Sequence, residues 1–89
     1  MDPFPVEPMP VVVRARVVGP YSVELEFDDG LQKRVDLRPL LNGPVFQPLL
    51  DPAEFARLHV DPEAGTIVWP NQADIAPETL YDLPDERAA

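Results

Sequence analysis

Apolar and polar residues alternate without a fault from Tyr21 to Phe27: Tyr21, Val23, Leu25 and Phe27 fall on one side, Ser22, Glu24 and Glu26 on the other. A period of two sets one face against a core and the other against water, which predicts a half-buried antiparallel strand. Upstream, Val11 to Val18 is rich in β-branched residues and ends at the turn dipeptide Gly19-Pro20. Downstream, Leu31, Val35 and Leu37 recur with Gln32, Arg34 and Asp36 between them. Parity then sets the register. A two-residue Asp29-Gly30 turn would place Leu25 opposite Arg34, apolar against charged. A three-residue loop, Asp28-Asp29-Gly30, instead aligns Phe27 with Leu31, Val23 with Val35 and Tyr21 with Leu37. Gly30 then takes the left-handed position of a type I turn followed by a bulge. The same register sets Glu24 across from Arg34 on the wet face. Applied to the first turn, parity pairs Val17 with Tyr21 and Ala15 with Val23, which completes a three-stranded antiparallel meander.

The pattern changes after Leu37. Arg38 to Leu50 carries Pro39, Gly43, Pro44 and Pro48 among Leu40, Leu41, Val45, Phe46, Leu49 and Leu50. That is too punctuated for a long helix and too apolar for a free loop, so a short helical turn around Pro39 to Leu41 and a chain packed over the sheet are expected. Asp51-Pro52-Ala53-Glu54 is a helix start, with Asp51 as N-cap, Pro52 at the first helical position and Glu54 closing a capping box, for a helix from Pro52 to Leu58. Val60-Asp61 and Thr66 to Trp69 flank a Pro-Glu-Ala-Gly turn and predict a second hairpin. Pro77 and Glu78 start a final short helix toward Tyr81. The expected fold is α+β: a small antiparallel three-stranded meander plus a short second hairpin, with two short helices packed on the sheet. Residues 1–10, with prolines at 3, 5, 8 and 10, predict an extended or disordered arm. Residues 11–82 form the single domain, and 83–89 a frayed acidic tail.

Composition sharpens this picture. The chain has no cysteine, which removes disulfides and thiolate metal sites and fits a cytoplasmic location. No apolar run approaches the roughly 20 residues that span a bilayer, and the Pro-rich start lacks a signal-peptide layout. Seven Lys and Arg face sixteen Asp and Glu, for a formal net charge of −9. Nucleic-acid affinity comes largely from cations that displace phosphate counterions, so direct DNA or RNA binding is not expected. A basic protein partner is favoured on encounter.

The catalytic inventory is thin. His59, Ser22 and Lys33 are each the only residue of their type. Ser22 falls mid-strand on the wet face, with no loop to shape an oxyanion hole. One histidine without cysteine makes a poor zinc site. Asp28-Asp29-Gly30 lacks the alternating ligands and terminal Glu of a calcium loop. Asp51 and Glu78 are explained by helix starts, and the acids at Asp61, Glu63 and Asp74 have no cleft to work in. No catalytic residue, metal ligand or cofactor site is expected. Trp69 alternates with Ile67, which points it inward, although Trp and Tyr are also frequent interface anchors. Asp74 is expected to bond backbone N–H groups in the 71–76 turn. The residues assigned to a partner-binding surface are Trp69, Asn71, Asp74, Glu78 and Tyr81.

The Phe27-Asp28-Asp29-Gly30 hairpin, Val35-Asp36-Leu37, Gly43-Pro44-Val45-Phe46, Gly65-Thr66-Ile67 through Trp69-Pro70-Asn71, Asp74-Ile75-Ala76-Pro77-Glu78 and Leu80-Tyr81 together resemble a bacterial family known as domain of unknown function 2442. The resemblance covers roughly residues 11 to 82. It departs at Gln72, where that family commonly has glycine; if glycine there serves a positive φ, Gln72 must tolerate it or the turn differs. The resemblance implies a small α+β domain with no established enzymatic activity, often encoded beside a small partner protein in an arrangement like a toxin–antitoxin pair. Some longer relatives carry a helix-turn-helix module after this domain; none is expected within these 89 residues. The function expected is a non-enzymatic interaction module, antitoxin-like, that binds a small basic protein encoded nearby. The alternative is a ligand-sensing or regulatory domain with a pocket between the sheet and residues 39–58. Homo-oligomerisation through an edge strand is a further expectation.

Overall fold

The computed structural model describes residues 10–86. Strands β1 (Val12–Val17), β2 (Ser22–Phe27) and β3 (Gln32–Asp36) form the antiparallel meander in sequential order. Two 3₁₀ turns, Arg38–Leu40 and Gln47–Leu50, lead to helix α1 (Pro52–Phe55). A second hairpin follows, of β4 (His59–Asp61) and β5 (Thr66–Val68), and then helix α2 (Pro77–Asp82). The α+β architecture expected from the sequence is the one formed. The extended arm expected over residues 1–10 falls on residues 1–9, which lie outside the described ones.

The β2–β3 register is the one that parity dictates: Val23 faces Val35 and Glu24 faces Arg34. The loop has three residues, closed by Phe27 N–H to Leu31 O and Gly30 N–H to Phe27 O, both 2.9 Å. Gly30 has φ +90°, a conformation that a side chain disfavours. The β1–β2 register differs from expectation by two residues. Val17 faces Val23 and Ala15 faces Leu25, and the turn closes with Val18 N–H on Ser22 O at 2.9 Å. Tyr21 falls in the turn itself, where its carbonyl accepts from Leu37 N–H and its hydroxyl bonds Leu50 O. A shift of two keeps every side chain on its face. A one-residue slip does not, and one occurs between Val12 and Arg14. That bulge turns Val12 into the core at 1% exposure and puts Val13 outside at 47%. It also lets Val12 N–H donate to Gly65 O, tying the meander to the second hairpin.

The inner sheet face of Val23, Leu25, Phe27, Val35 and Leu37 packs against Leu41, Leu49, Phe55, Ile67, Trp69 and Leu80 in one core. Each fully buried apolar side chain of this kind contributes about 1.5–3 kcal/mol. Phe55 meets Tyr21 edge-on at 5.6 Å, and Tyr81 meets Phe27 edge-on at 4.9 Å, so both helices sit on the sheet.

Three local expectations are corrected. The first helix ends at Phe55 rather than Leu58, with Ala56 as its C-cap. Asp51 caps it by accepting from Ala53 N–H at 3.0 Å, but no capping box forms. The Asp51 N–H already donates to Pro48 O in the preceding 3₁₀ turn, and the Glu54 carboxylate instead pairs with Arg57 at 3.4 Å. The tail is not frayed over its described part. Leu83 packs on the core, and Glu86 lies along β3, its N–H on Arg34 O at 2.7 Å and its carboxylate on the Arg34 guanidinium at 2.7 Å. Glu24 lies across from Arg34 as parity sets it, and it also pairs with Arg16 at 2.6 Å.

Candidate functional site

Of the five residues assigned to a contact surface, Trp69 is held most firmly. Alternation in β5 turns Ile67 and Trp69 inward, and Trp69 is 1% exposed. Its indole N–H donates to Phe55 O at 2.9 Å, and its ring meets Phe55 at 5.8 Å and Phe46 at 6.4 Å. Trp69 thus belongs to the core, and it offers no surface to a partner in this structure.

The chain surfaces immediately after it. Trp69 N–H bonds Ala73 O and Gln72 N–H bonds Trp69 O, which closes a tight turn over Pro70 to Gln72. Gln72 has φ +72° and is the one non-glycine residue with a positive φ among the described residues, so of the two outcomes open for this position it tolerates the conformation. Asn71, not Asp74, organises the loop. Its side-chain oxygen accepts from Ala73 N–H and its amide donates to Val45 O, both at 3.0 Å. Asp74 contributes a backbone bridge to Val68, and its side chain stands exposed. The amide of Asn71 therefore joins the Gly43–Phe46 loop to the Pro70–Gln72 turn, with Phe46 and Trp69 packed beneath. Pro44, Pro70, Asn71 and Gln72 are exposed on this rim, as is Val45 at 53%.

Glu78 is exposed in the first turn of α2. Tyr81 faces elsewhere. Its hydroxyl donates to the Asp29 carboxylate at 2.6 Å, at the tip of the first hairpin. That bond, with the Leu31 N–H, holds the Asp29 carboxyl below its ordinary value. The same bond pushes the Tyr81 phenol up, and the charges of Asp29 and Asp28 push it the same way. The expected surface thus divides into a rim around Val45 and Asn71 and an acidic corner around Asp28, Asp29 and Tyr81.

Sequence reasoning passed over Lys33. It is 7% exposed, its ammonium donates to Tyr81 O, and it lies 5.9 Å from the Tyr81 ring centre. A cation on a carbonyl in the last turn of a helix satisfies a group that the helix cannot and opposes its dipole. The signal was its odd position, which puts it on the inner face with Val35 and Leu37.

His59 is exposed at the start of β4, opposite Val68. Ser22 donates to Glu86 at 3.2 Å. Among the described residues no group of three or more His, Cys, Asp or Glu could hold a metal ion. No helix among them is long and apolar enough to cross a membrane. The space between the sheet and residues 39–58 is occupied by Leu41, Leu49 and Phe55. A concavity of about 260 Å³ lies on the other side of the sheet, lined by Arg14, Arg16, Glu24, Glu26 and Gln32, where Arg14 pairs with Glu26 and Arg16 with Glu24.

A family model described as Protein of unknown function (DUF2442) matches residues 12–84. No curated protein and no solved structure matches the chain.

Proposed function

This chain belongs to the DUF2442 family of proteins of unknown function, and from that premise we propose that it is a non-enzymatic interaction module that binds a small basic protein. The observation that carries the reading is the rim of Val45, Pro70 and Asn71. It is an uncovered apolar and amide surface held rigid by a side-chain bond to the neighbouring loop, on a chain of formal net charge −9. Such a combination suits a partner that brings an apolar anchor surrounded by cations, since opposite charge speeds encounter and a preordered loop lowers the entropic cost of docking. Asp74 and Glu78 supply exposed carboxylates on the same stretch of chain. In a two-gene arrangement of the kind the family resemblance implies, this protein would be the neutralising, antitoxin-like half, acting in the cytoplasm. A ligand-sensing role draws less support, because side chains fill the place where its pocket was expected.

Co-expression with the small protein encoded beside it, followed by size-exclusion chromatography, tests the reading. The expected result is a co-eluting complex that weakens with salt and is disrupted by Val45→Asp and by Asp74→Lys with Glu78→Lys. Separate elution at micromolar concentrations of both proteins would refute it.

A further inference from the structure

The two outer strands of the meander present different edges. Because Val18 bonds Ser22, alternation leaves the backbone groups of Ala15 and Val17 facing outward from β1. Because Phe27 bonds Leu31 and Leu37 bonds Tyr21, those of Gln32, Arg34 and Asp36 face outward from β3. An antiparallel pair of β1 strands related by a two-fold axis at Ala15 sets Arg14 across from Arg16 of the second copy, cation against cation. The same operation on β3, with Val35 on the axis, sets Arg34 across from Asp36 of the second copy, and Asp36 across from its Arg34. Both pairs lie at positions whose N–H and C=O face the edge, so they can exchange backbone hydrogen bonds as well as charge.

We propose that the outer edge of β3 is a homodimerisation edge, held shut by the C-terminal segment of the same chain. Glu86 occupies the two groups that self-pairing requires. Its N–H takes the Arg34 carbonyl at 2.7 Å, its carboxylate takes the Arg34 guanidinium at 2.7 Å, and the Ser22 hydroxyl steadies it at 3.2 Å. One edge is thus blunted by like charge, and the other is covered. Tail and second copy compete for Arg34, so whatever draws Glu86 away opens a dimer of two continuous sheets. The inference is independent of the partner-binding reading, which concerns Val45 and the 70–78 stretch and none of the residues used here.

Sedimentation equilibrium of the full chain tests it, with circular dichroism to confirm that each variant is folded. Glu86→Pro, which removes both the N–H and the carboxylate, should associate at concentrations where the unmodified chain stays at its 9.9 kDa monomer mass, and Glu86→Ala, which keeps the N–H, should do so more weakly. Adding Asp36→Arg to Glu86→Pro should abolish the dimer by setting arginine against arginine. The exchange Arg34→Asp with Asp36→Arg restores complementarity and should restore the dimer. That variant also controls for the bond that Asp36 accepts from Arg38 N–H, which it too has lost. Association of Glu86→Pro no stronger than that of the unmodified chain would overturn the proposal. So would a dimer indifferent to Asp36→Arg, which would place the contact elsewhere.

Discussion

Residues 12–37 satisfy their backbone strand against strand, in ladders five residues long, and most of their inner side chains only pack. From residue 38 onward the elements are three to six residues long and leave several backbone carbonyls without a backbone donor. There, side-chain donors do the closing. Tyr21 reaches Leu50 O, Trp69 reaches Phe55 O, Thr66 reaches Ile75 O, Asn71 reaches Val45 O, and Lys33 reaches Tyr81 O. Two of these donors, Tyr21 and Lys33, come from the meander itself. The difference teaches that the irregular half has the meander as its template, and that polar groups there are as structural as the apolar core. Among the described residues no buried side-chain nitrogen or oxygen lacks a partner.

Four measurements sharpen this contrast, beginning with the largest effect. Phe27→Ala removes a side chain that both halves share and should cost about 3–5 kcal/mol in urea denaturation. A loss below about 1 kcal/mol would mean that the meander stands without the other half. Thr66→Val keeps shape and burial but strands the Ile75 carbonyl, and should cost about 1–3 kcal/mol. The matched change on the wet face of the meander, Ser22→Ala, should stay within about 0.5 kcal/mol; equal costs would erase the distinction between halves. Gln72→Gly relieves a side chain at φ +72° and should raise stability by about 0.5–1 kcal/mol, once glycine's greater freedom in the unfolded chain is subtracted.

The last prediction concerns pH. Asp29 is held below its ordinary value chiefly by the Tyr81 hydroxyl, so the contact stabilises the fold above the aspartate range and is lost as pH falls through it. Tyr81 is pushed above its ordinary value by the same bond, so its contribution is full below the tyrosine range and is lost as pH rises through the folded-state value. Tyr81→Phe should flatten both limbs of the stability profile. In an NMR titration it should also return Asp29 toward an unperturbed aspartate, and an unchanged Asp29 titration would remove Tyr81 as the cause.

How much of this was legible in the sequence follows the same division. Parity gave the β2–β3 register, the three-residue loop and the inward turn of Trp69, because each depends on neighbours one or two positions away. The first turn went wrong by two residues because parity allows either closure, and the turn closes on Val18 and Ser22 with the Tyr21 hydroxyl on Leu50 O, a contact that no local rule contains. The bulge at Val13 goes with the Val12 N–H bond to Gly65 O of the far hairpin, which no local pattern announces. Within the candidate site, Pro77 and Glu78 were readable as a helix start. The exchange of roles between Asn71 and Asp74 was not, since Asn can donate to Val45 while accepting from Ala73, and a carboxylate cannot. The hold of Glu86 on Arg34 spans 52 residues and leaves no periodic trace.

Trp69 is the chain's one tryptophan, so the molecule carries a single indole fluorophore, excitable apart from the tyrosines and placed where the irregular half meets the core. Its emission should be blue-shifted when the indole is packed against Phe46 and Phe55, and should move red as they part. Far-ultraviolet dichroism reports mainly on the strands. Comparing the two signals across one denaturation curve, on unmodified protein, shows whether template and dependant come apart together or in sequence.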